Sequence, residues 1–210
     1  MVAGARQERV GQRFPELATS RMPIPECPLD GSVLLMRHGE ADWDCLGKGH
    51  ALGHGTDLVP LTRQGIDDVR NLARAMAGLG LQRVVSSPLT RSLQSAFVVA
   101  DELELPLPEV EFDLREWQPT VAGLPLPPAE VDRALNALWS GVTPEEYDGP
   151  PFEDVASLRN RVRLVLGRQL GSTPTLIVTH GVVIWSMTGL RMMTADVAAM
   201  PLPELTSDED

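Results

Sequence analysis

Short apolar runs alternate with stretches of helical periodicity along most of this chain. The runs 33–36 (VLLM), 83–87 (RVVSS) and 175–180 (TLIVTH) are continuous and short, which is typical of strands buried on both faces of a sheet. After the first run, apolar residues recur at helical spacing at Ile66, Val69, Leu72, Ala73 and Met76, and Gly78 and Gly80 suit the end of that helix.

Further helices are predicted over 87–103, 129–139, 152–170 and 181–190. For the first of these, Ser87 is the expected N-cap and Pro88 the first helical residue, where a missing N–H costs nothing. The glycine-rich segment 47–56, the proline-rich segment 119–128 and the segment 140–151 are predicted loops. This order of strands and helices predicts an α/β domain with a mainly parallel sheet.

The ends of the chain differ from its middle. Residues 1–30 are polar and finish in the proline-rich stretch RMPIPECPLD, so we expect a loosely attached N-terminal extension. Residues 31–200 are predicted to form one domain, since 210 residues would crowd two. Residues 201–210 form an acidic tail that we expect to be disordered.

Composition narrows the classes of partner. The formal net charge of −11 should repel nucleic acid and anionic membranes, so neither is expected as a partner. The two cysteines, Cys27 and Cys45, match no disulfide framework or zinc site. The N-terminus has no secretion signal and no apolar run reaches the ~18 residues of a membrane span, so a cytoplasmic location is expected.

Two of the four histidines follow strands directly, and each is followed by glycine: His38-Gly39 and His180-Gly181. Because active sites of such sheets lie at the carboxyl ends of the strands, we expect the two imidazoles to lie close together. Arg37 precedes His38, and Arg91 lies in the first turns of the helix that follows the second strand. The result would be a cationic pocket that suits phosphate, with a neutral imidazole available as a nucleophile.

Four segments of the sequence, considered together, indicate one protein family. They are LLMRHGE, VVSSPLTRSLQSA, FDLREW and LIVTHG. In order and spacing they resemble the signature segments of the histidine phosphatase superfamily, also called phosphoglycerate mutase-like. The resemblance covers about residues 33 to 190. It implies a three-layer α/β/α sandwich around the mainly parallel sheet.

The resemblance also implies roles for residues. His38 would be the nucleophile that forms a phosphohistidine. Arg37, Arg91 and His180 would bind the phosphoryl group, His180 also acting in catalysis, and Glu116 of LREW would donate the proton to the leaving group. No metal and no cofactor are expected. The predicted enzyme is a histidine acid-type phosphatase, a phosphoric monoester hydrolase acting on a small phosphorylated substrate.

Some positions depart from the family pattern. Ala41 and Asp44 stand where the family commonly has Ser or Thr and Asn, so a hydroxyl and an amide donor are lost. Asp44 and His54 are candidate substrate-pocket residues. His50 and His54 have the spacing of metal ligands on a helix, but the surrounding glycines favour a loop without metal. Trp43, Trp117 and Trp185 each follow a motif; pocket walls and core packing are both open to them, and core packing is the preferred interpretation.

Hydrolysis is favoured over phosphoryl transfer between substrates. The insert between Glu116 and the helix beginning near residue 152 contains Arg133 as its sole basic residue, whereas a mutase needs more cations to hold a bisphosphate. The alternatives that stay open are a mutase, a non-catalytic phospholigand-binding module, and an enzyme for a phosphorylated natural-product or nucleotide intermediate. The substrate is not identified, and a homodimer is one of the open oligomeric states.

Overall fold

The computed structural model describes residues 23–24, 32–46, 53–122, 126–169 and 173–201. Within them lies a five-stranded sheet in the order β3-β2-β4-β1-β5. The first four strands in this order are parallel to one another, and β5 is antiparallel to β1. The strands span Ser32–Arg37 (β1), Arg83–Ser86 (β2), Glu109–Val110 (β3), Thr175–Thr179 (β4) and Asp196–Pro201 (β5).

Helices cover both faces of this sheet. They span Arg63–Ala75 (α1), Thr90–Glu102 (α2), Pro128–Trp139 (α3), Val155–Gln169 (α4) and Gly181–Thr188 (α5). Side chains of α1 and α2 pack on one face with Leu34 and Met36, and side chains of α3, α4 and α5 pack on the other with Val33 and Leu35. Because successive strand residues point to opposite faces, the continuous apolar run of β1 supplies both cores. The predicted three-layer α/β/α sandwich is confirmed.

Close backbone contact fixes the connection from β1 to α1. A Cβ atom on Gly39 would lie 2.7 Å from the carbonyl oxygen of Gly65, and one on Gly65 would lie 2.3 Å from that of Glu40. Neither position therefore has room for a side chain. Thr62 caps α1, accepting a hydrogen bond from the Gly65 amide (2.8 Å) and donating one to the Glu40 carboxylate (2.8 Å).

The start of α2 differs from the prediction. The N-cap is Leu89 and the helix begins at Thr90, so Ser87 is not the cap and Pro88 is not the first helical residue. The Ser87 hydroxyl accepts from the Leu89 amide at 3.3 Å and also contacts His180. The predicted loop over 47–56 also differs in its described part, because a 3-10 helix spans Gly53–Leu58.

Two strands lack a strong signal in the sequence. β3 has two residues, both exposed, at the edge of the sheet. β5 contains two alanines, which favour strands weakly, and it ends in proline. The predicted N-terminal extension and acidic tail lie outside the described residues except for positions 23, 24 and 201, and Ile24 packs against the core around α1 and α2. His50 also lies outside them.

Over the ranges that the structure describes, no helix is both long and apolar enough to cross a membrane.

Candidate active site

The two histidines lie side by side at the carboxyl ends of β1 and β4. Arg37 and Thr179 are neighbours in the parallel ladder, and the His38 amide donates to the Thr179 carbonyl at 3.1 Å. This register brings the imidazole centroids to 5.1 Å at an interplanar angle of 64°. Both rings are buried, His38 at 5% exposure and His180 at 0%. The sheet thus produces the pair predicted from the two strand ends.

A main-chain carbonyl orients the His38 ring. Nδ1 lies 2.7 Å from the carbonyl oxygen of Gly39, which can only accept, so Nδ1 carries the proton in this contact. Nε2 therefore holds the lone pair, and it accepts a hydrogen bond from Nε of Arg91 at 3.3 Å. Burial, with the charges of Arg91 and Arg37, places the pKa of His38 well below its usual value. The imidazole is consequently neutral and nucleophilic near pH 7.

Serine hydroxyls orient the second ring. Nε2 of His180 lies 2.7 Å from the Ser87 hydroxyl and 3.3 Å from that of Ser92. Among the described residues, Nδ1 of His180 has no hydrogen-bond partner although it is buried. Burial and the charge of Arg91 lower the pKa of His180 well below its usual range. The sequence analysis did not identify Ser87 as a site residue. A signal is present, because Ser87 directly follows β2 in the same way that the two histidines directly follow β1 and β4.

Arg91 joins the histidines to the covering loops. It is buried at 5% exposure in the first turn of α2, and its Nη1 donates to the Thr56 carbonyl at 3.0 Å. Its guanidinium lies 5.4 Å from the ring centroid of Trp43, so this tryptophan forms part of the site wall instead of the predicted core. Ser95 links the next turn to the His38 segment, accepting from the Gly39 amide at 3.0 Å.

The second glycine of the histidine-glycine pairs accommodates Arg37. A Cβ atom on Gly181 would lie 3.2 Å from both Cζ and Nε of Arg37, closer than side chains normally pack. Nη1 of Arg37 donates to the Met192 carbonyl at 2.6 Å. Burial lowers the pKa of Arg37, while the nearby charge of Glu116 raises it. The Glu116 carboxylate is thus near enough for its charge to act on Arg37.

Glu116 lies on irregular backbone. Its Oε1 accepts a hydrogen bond from the Trp117 amide at 2.9 Å. Desolvation raises the pKa of Glu116 above its usual value, although that hydrogen bond and the charges of Arg91 and Arg37 act in the opposite direction. A carboxyl with this environment keeps its proton to higher pH than an exposed glutamate. The structure thus brings Arg37, His38, Arg91, Glu116 and His180 together.

The predicted pocket residues fare differently. Asp44 is exposed in a 3-10 helix spanning Trp43–Leu46, and the carboxylates that act most strongly on Arg91 are Glu116 and Asp57. His54 lies in the 3-10 helix Gly53–Leu58, and its role stays a prediction. Within the described ranges, no group of three or more His, Cys, Asp or Glu side chains is placed to hold a metal ion.

Residues 33–206 match the family described as "Histidine phosphatase superfamily (branch 1)". The chain belongs to this superfamily. A Bacillus subtilis relative called "Uncharacterized phosphatase PhoE" is 32% identical over 164 residues, 74% of this chain and 75% of its own. A Yersinia enterocolitica relative called "Probable phosphoglycerate mutase GpmB" is 28% identical over 162 residues, 72% of this chain and 70% of its own.

Solved structures support the fold. The structure titled "Bacillus stearothermophilus YhfR" superposes with a TM-score of 0.61 at 21% identity, covering 80% of this chain and 89% of its own. At this identity the likeness extends to the phosphoglycerate mutase-like architecture and no further. Histidine phosphatases are typically phosphatases or mutases, and the arrangement of arginines, histidines and a carboxyl described above is the part of this chain that bears on the choice.

Proposed function

We propose that this protein is a metal-independent phosphatase that hydrolyses a small phosphomonoester through a phosphohistidine on His38. The observation that carries the proposal is the state of the His38 ring. Nδ1 donates a hydrogen bond to the Gly39 carbonyl, so Nε2 carries the lone pair, which accepts from Nε of Arg91 beside the His180 ring and attacks phosphorus once the phosphoryl group takes that N–H. A buried, neutral imidazole with a fixed tautomer is a competent nucleophile.

In the first step, Nε2 of His38 attacks phosphorus and the ester P–O bond breaks. Arg37, Arg91 and His180 bind the phosphoryl oxygens and offset the charge that accumulates on them in the transition state. We assign this contact of His180 to the unpartnered Nδ1, because Nε2 already bonds to Ser87. The leaving oxygen takes a proton from the carboxyl of Glu116, whose raised pKa preserves the acid form.

In the second step, the carboxylate of Glu116 takes a proton from water. The water oxygen attacks phosphorus, the P–N bond breaks, and the lone pair returns to Nε2 of His38. Inorganic phosphate leaves and Glu116 is again protonated. The proposal uses one carboxyl as acid and then as base, and it needs no group outside this chain.

A phosphoglycerate mutase-type reaction is the alternative that the name of the Yersinia relative favours. The covering segment supports hydrolysis instead. Arg133 is exposed and bonds to Tyr147 (3.0 Å), to the Asp148 carbonyl (2.9 Å) and to Glu130 (2.9 Å). It is thereby engaged locally, whereas a mutase must hold a second anionic group while excluding water.

The test is phosphate release from a panel of phosphomonoesters with EDTA present, for the wild type and for His38→Ala. We expect release that EDTA leaves unchanged and that falls by at least ~10⁴-fold in the variant, as removal of a nucleophile typically causes. Circular dichroism establishes that the variant is folded. Conversion of 3-phosphoglycerate without phosphate release would identify a mutase, and phosphate binding without turnover of any ester would identify a binding module.

A further inference from the structure

Glu116 lies in a stretch of backbone that no strand or helix holds. Residues 115–120 follow a short 3-10 turn, Phe112–Leu114, and make no ladder with the sheet. The proposed role of Glu116 nevertheless requires its carboxyl to reach the leaving oxygen within hydrogen-bond distance. Other interactions must therefore determine where this segment lies.

One arginine of α4 binds three main-chain carbonyls, one in the 3-10 turn and two in the segment that follows it. The guanidinium of Arg161 donates through Nη1 to the carbonyls of Asp113 and Arg115, and through Nη2 to that of Glu116 at 3.2 Å. The Arg115 contact measures 2.9 Å. A planar guanidinium with donors in a fixed fork can hold several acceptors at once, which the single ammonium of lysine cannot reproduce.

A buried carboxylate holds Arg161 in turn. Glu153 accepts from Nε of Arg161 at 2.6 Å and from Nη2 at 2.9 Å. Both residues are buried, at 6% exposure for Glu153 and 9% for Arg161. The bidentate geometry fixes the plane of the guanidinium, and with it the direction of the donors that reach the carbonyls.

Glu153 also binds the far side of the Glu116 segment. Its Oε2 accepts from the Gln118 amide at 3.1 Å, and its carbonyl accepts from Nε1 of Trp117 at 2.6 Å. The Glu153 amide donates to the Gln118 carbonyl at 2.9 Å. The Arg161–Glu153 pair therefore contacts the chain both before and after Glu116.

The 3-10 turn that leads into this segment is tied to the end of β4. The Thr179 hydroxyl donates to the Leu114 carbonyl at 2.8 Å, and Thr179 immediately precedes His180. The segment thus has a second attachment on the side of the histidines, while the Arg161–Glu153 pair sets its orientation around Glu116.

We propose that Arg161, oriented by Glu153, is a positioning residue that places the Glu116 carboxyl against the leaving-group oxygen. This inference rests on the proposed function, because it acts through Glu116 as proton donor. It predicts a loss selective for the step that needs the proton. When Arg161 or Glu153 is changed, cleavage of the ester P–O bond should become much slower if the leaving group is basic. It should slow much less if the leaving group departs without protonation.

The experiment compares kcat/KM for p-nitrophenyl phosphate, whose leaving group is stable as an anion, with that for the alkyl phosphate turned over fastest in the panel. Arg161→Lys keeps the charge and removes the fork, and Glu153→Gln keeps the shape and removes the charge that orients Arg161. We expect each to lower kcat/KM at least ~10-fold more for the alkyl ester than for the aryl ester, part of the ~10²–10⁴-fold that a general acid contributes.

Two control variants are measured with the same pair of esters, one expected to show the full selectivity and one expected to show none. Glu116→Gln should show the same selectivity at full size, and adding Arg161→Lys to it should cause little further selective loss, because both changes act on one group. Arg74→Lys breaks a bidentate arginine–carboxylate pair with Glu102 on the surface (2.6 and 3.4 Å), and it should leave the ratio of the two kcat/KM values unchanged.

These assays distinguish a failure of the positioning role of Arg161 from a failure of the proposed function. If Glu116→Gln is selective for the alkyl ester while folded Arg161→Lys and Glu153→Gln lower both substrates equally, the pair supports the fold only and the inference is wrong. If Glu116→Gln itself shows no selectivity, the acid role in the proposed function is wrong. Thermal unfolding identifies a variant that fails to fold. If Arg161→Lys fails to fold, Glu153→Gln alone tests the positioning role.

Discussion

The sheet holds His38 and His180, whereas side chains hold Glu116. Each histidine directly follows a strand of a four-strand parallel array, and main-chain hydrogen bonds between neighbouring strands fix their separation. Glu116 follows no strand, and its segment depends on the hydrogen bonds of Arg161, Glu153 and Thr179. Many main-chain hydrogen bonds therefore fix the position of the proposed nucleophile. Only a few side chains fix the position of the proposed acid.

This difference has a consequence for how each group responds to change. Removing one side chain from a sheet leaves the ladder in place, because backbone groups make its hydrogen bonds. Removing the guanidinium of Arg161 deletes contacts to three carbonyls at once and leaves Glu153 buried without its partner. The acid should accordingly be the part of the site that is easier to displace.

The largest expected effect is on the pH dependence of kcat/KM. Its acid side reports His38, which the sheet holds, and its alkaline side reports Glu116, which side chains hold. The first step needs neutral His38 and protonated Glu116. Because the pKa of His38 is lowered, kcat/KM should fall on the acid side only well below pH 6.5; because that of Glu116 is raised, the alkaline fall should begin above pH 4.5. Beyond each limb the rate should change ~10-fold per pH unit, giving ~100-fold over two units.

The matched variant for this profile is Glu116→Gln, and both enzymes are assayed with the alkyl ester, whose leaving oxygen needs the proton. The ionisation of the substrate phosphate is common to both enzymes, so the difference between their profiles reports Glu116. We expect the alkaline limb due to Glu116 to disappear while the acid limb stays. An unchanged alkaline limb would assign it to another group, and an acid limb near the ordinary histidine pKa would contradict the buried, arginine-flanked state of His38.

A smaller effect should follow from disturbing the sheet-held half through Arg37. In Gly181→Ala the new Cβ lies 3.2 Å from Cζ of Arg37, so the guanidinium must shift by a few tenths of an ångström. We expect kcat/KM to fall by about 10-fold for aryl and alkyl esters alike, since misplacement by 1 Å can cost about 10²-fold. Equal loss for both esters distinguishes phosphoryl binding from proton donation.

Gly167→Ala is the control for this change. A Cβ at Gly167 would meet nothing within 4 Å, and the residue lies inside α4. Activity should be unchanged, and the free energy of unfolding should rise by about 0.5–1 kcal/mol because alanine favours the helix. A Gly181→Ala enzyme as active as Gly167→Ala would show that the contact with Arg37 does not position the phosphoryl site.

The same contrast explains what the sequence could predict. β1, β2 and β4 are buried on both faces, so each is a continuous apolar run, and the residues at their ends follow from strand geometry. His38 and His180 come directly from that rule, and Arg37 and Arg91 from their neighbourhood. Glu116 came only from the resemblance of the LREW segment, since an acid in an acidic stretch carries no distinct pattern.

The remaining features depend on contacts between distant parts of the chain. Arg161 reaches carbonyls 45 to 48 positions earlier, and nothing in its own helix distinguishes it from the exposed Arg168. Ser87 has the features of an N-cap, but α2 begins three residues later, and the Ser87 hydroxyl contacts His180 as well as the Leu89 amide. Local propensity describes such side chains correctly only until a tertiary partner competes for them.

The most direct test of the central claim is to trap the phosphorylated enzyme. Glu116→Gln reacted with p-nitrophenyl phosphate should complete the first step and stall at the second, which needs a base to activate water. Quenching in alkali and mapping by mass spectrometry should find one phosphoryl group, stable in base and lost in acid, on His38. Release of p-nitrophenolate with no phosphoryl group on His38, or with one on another residue, would contradict the account.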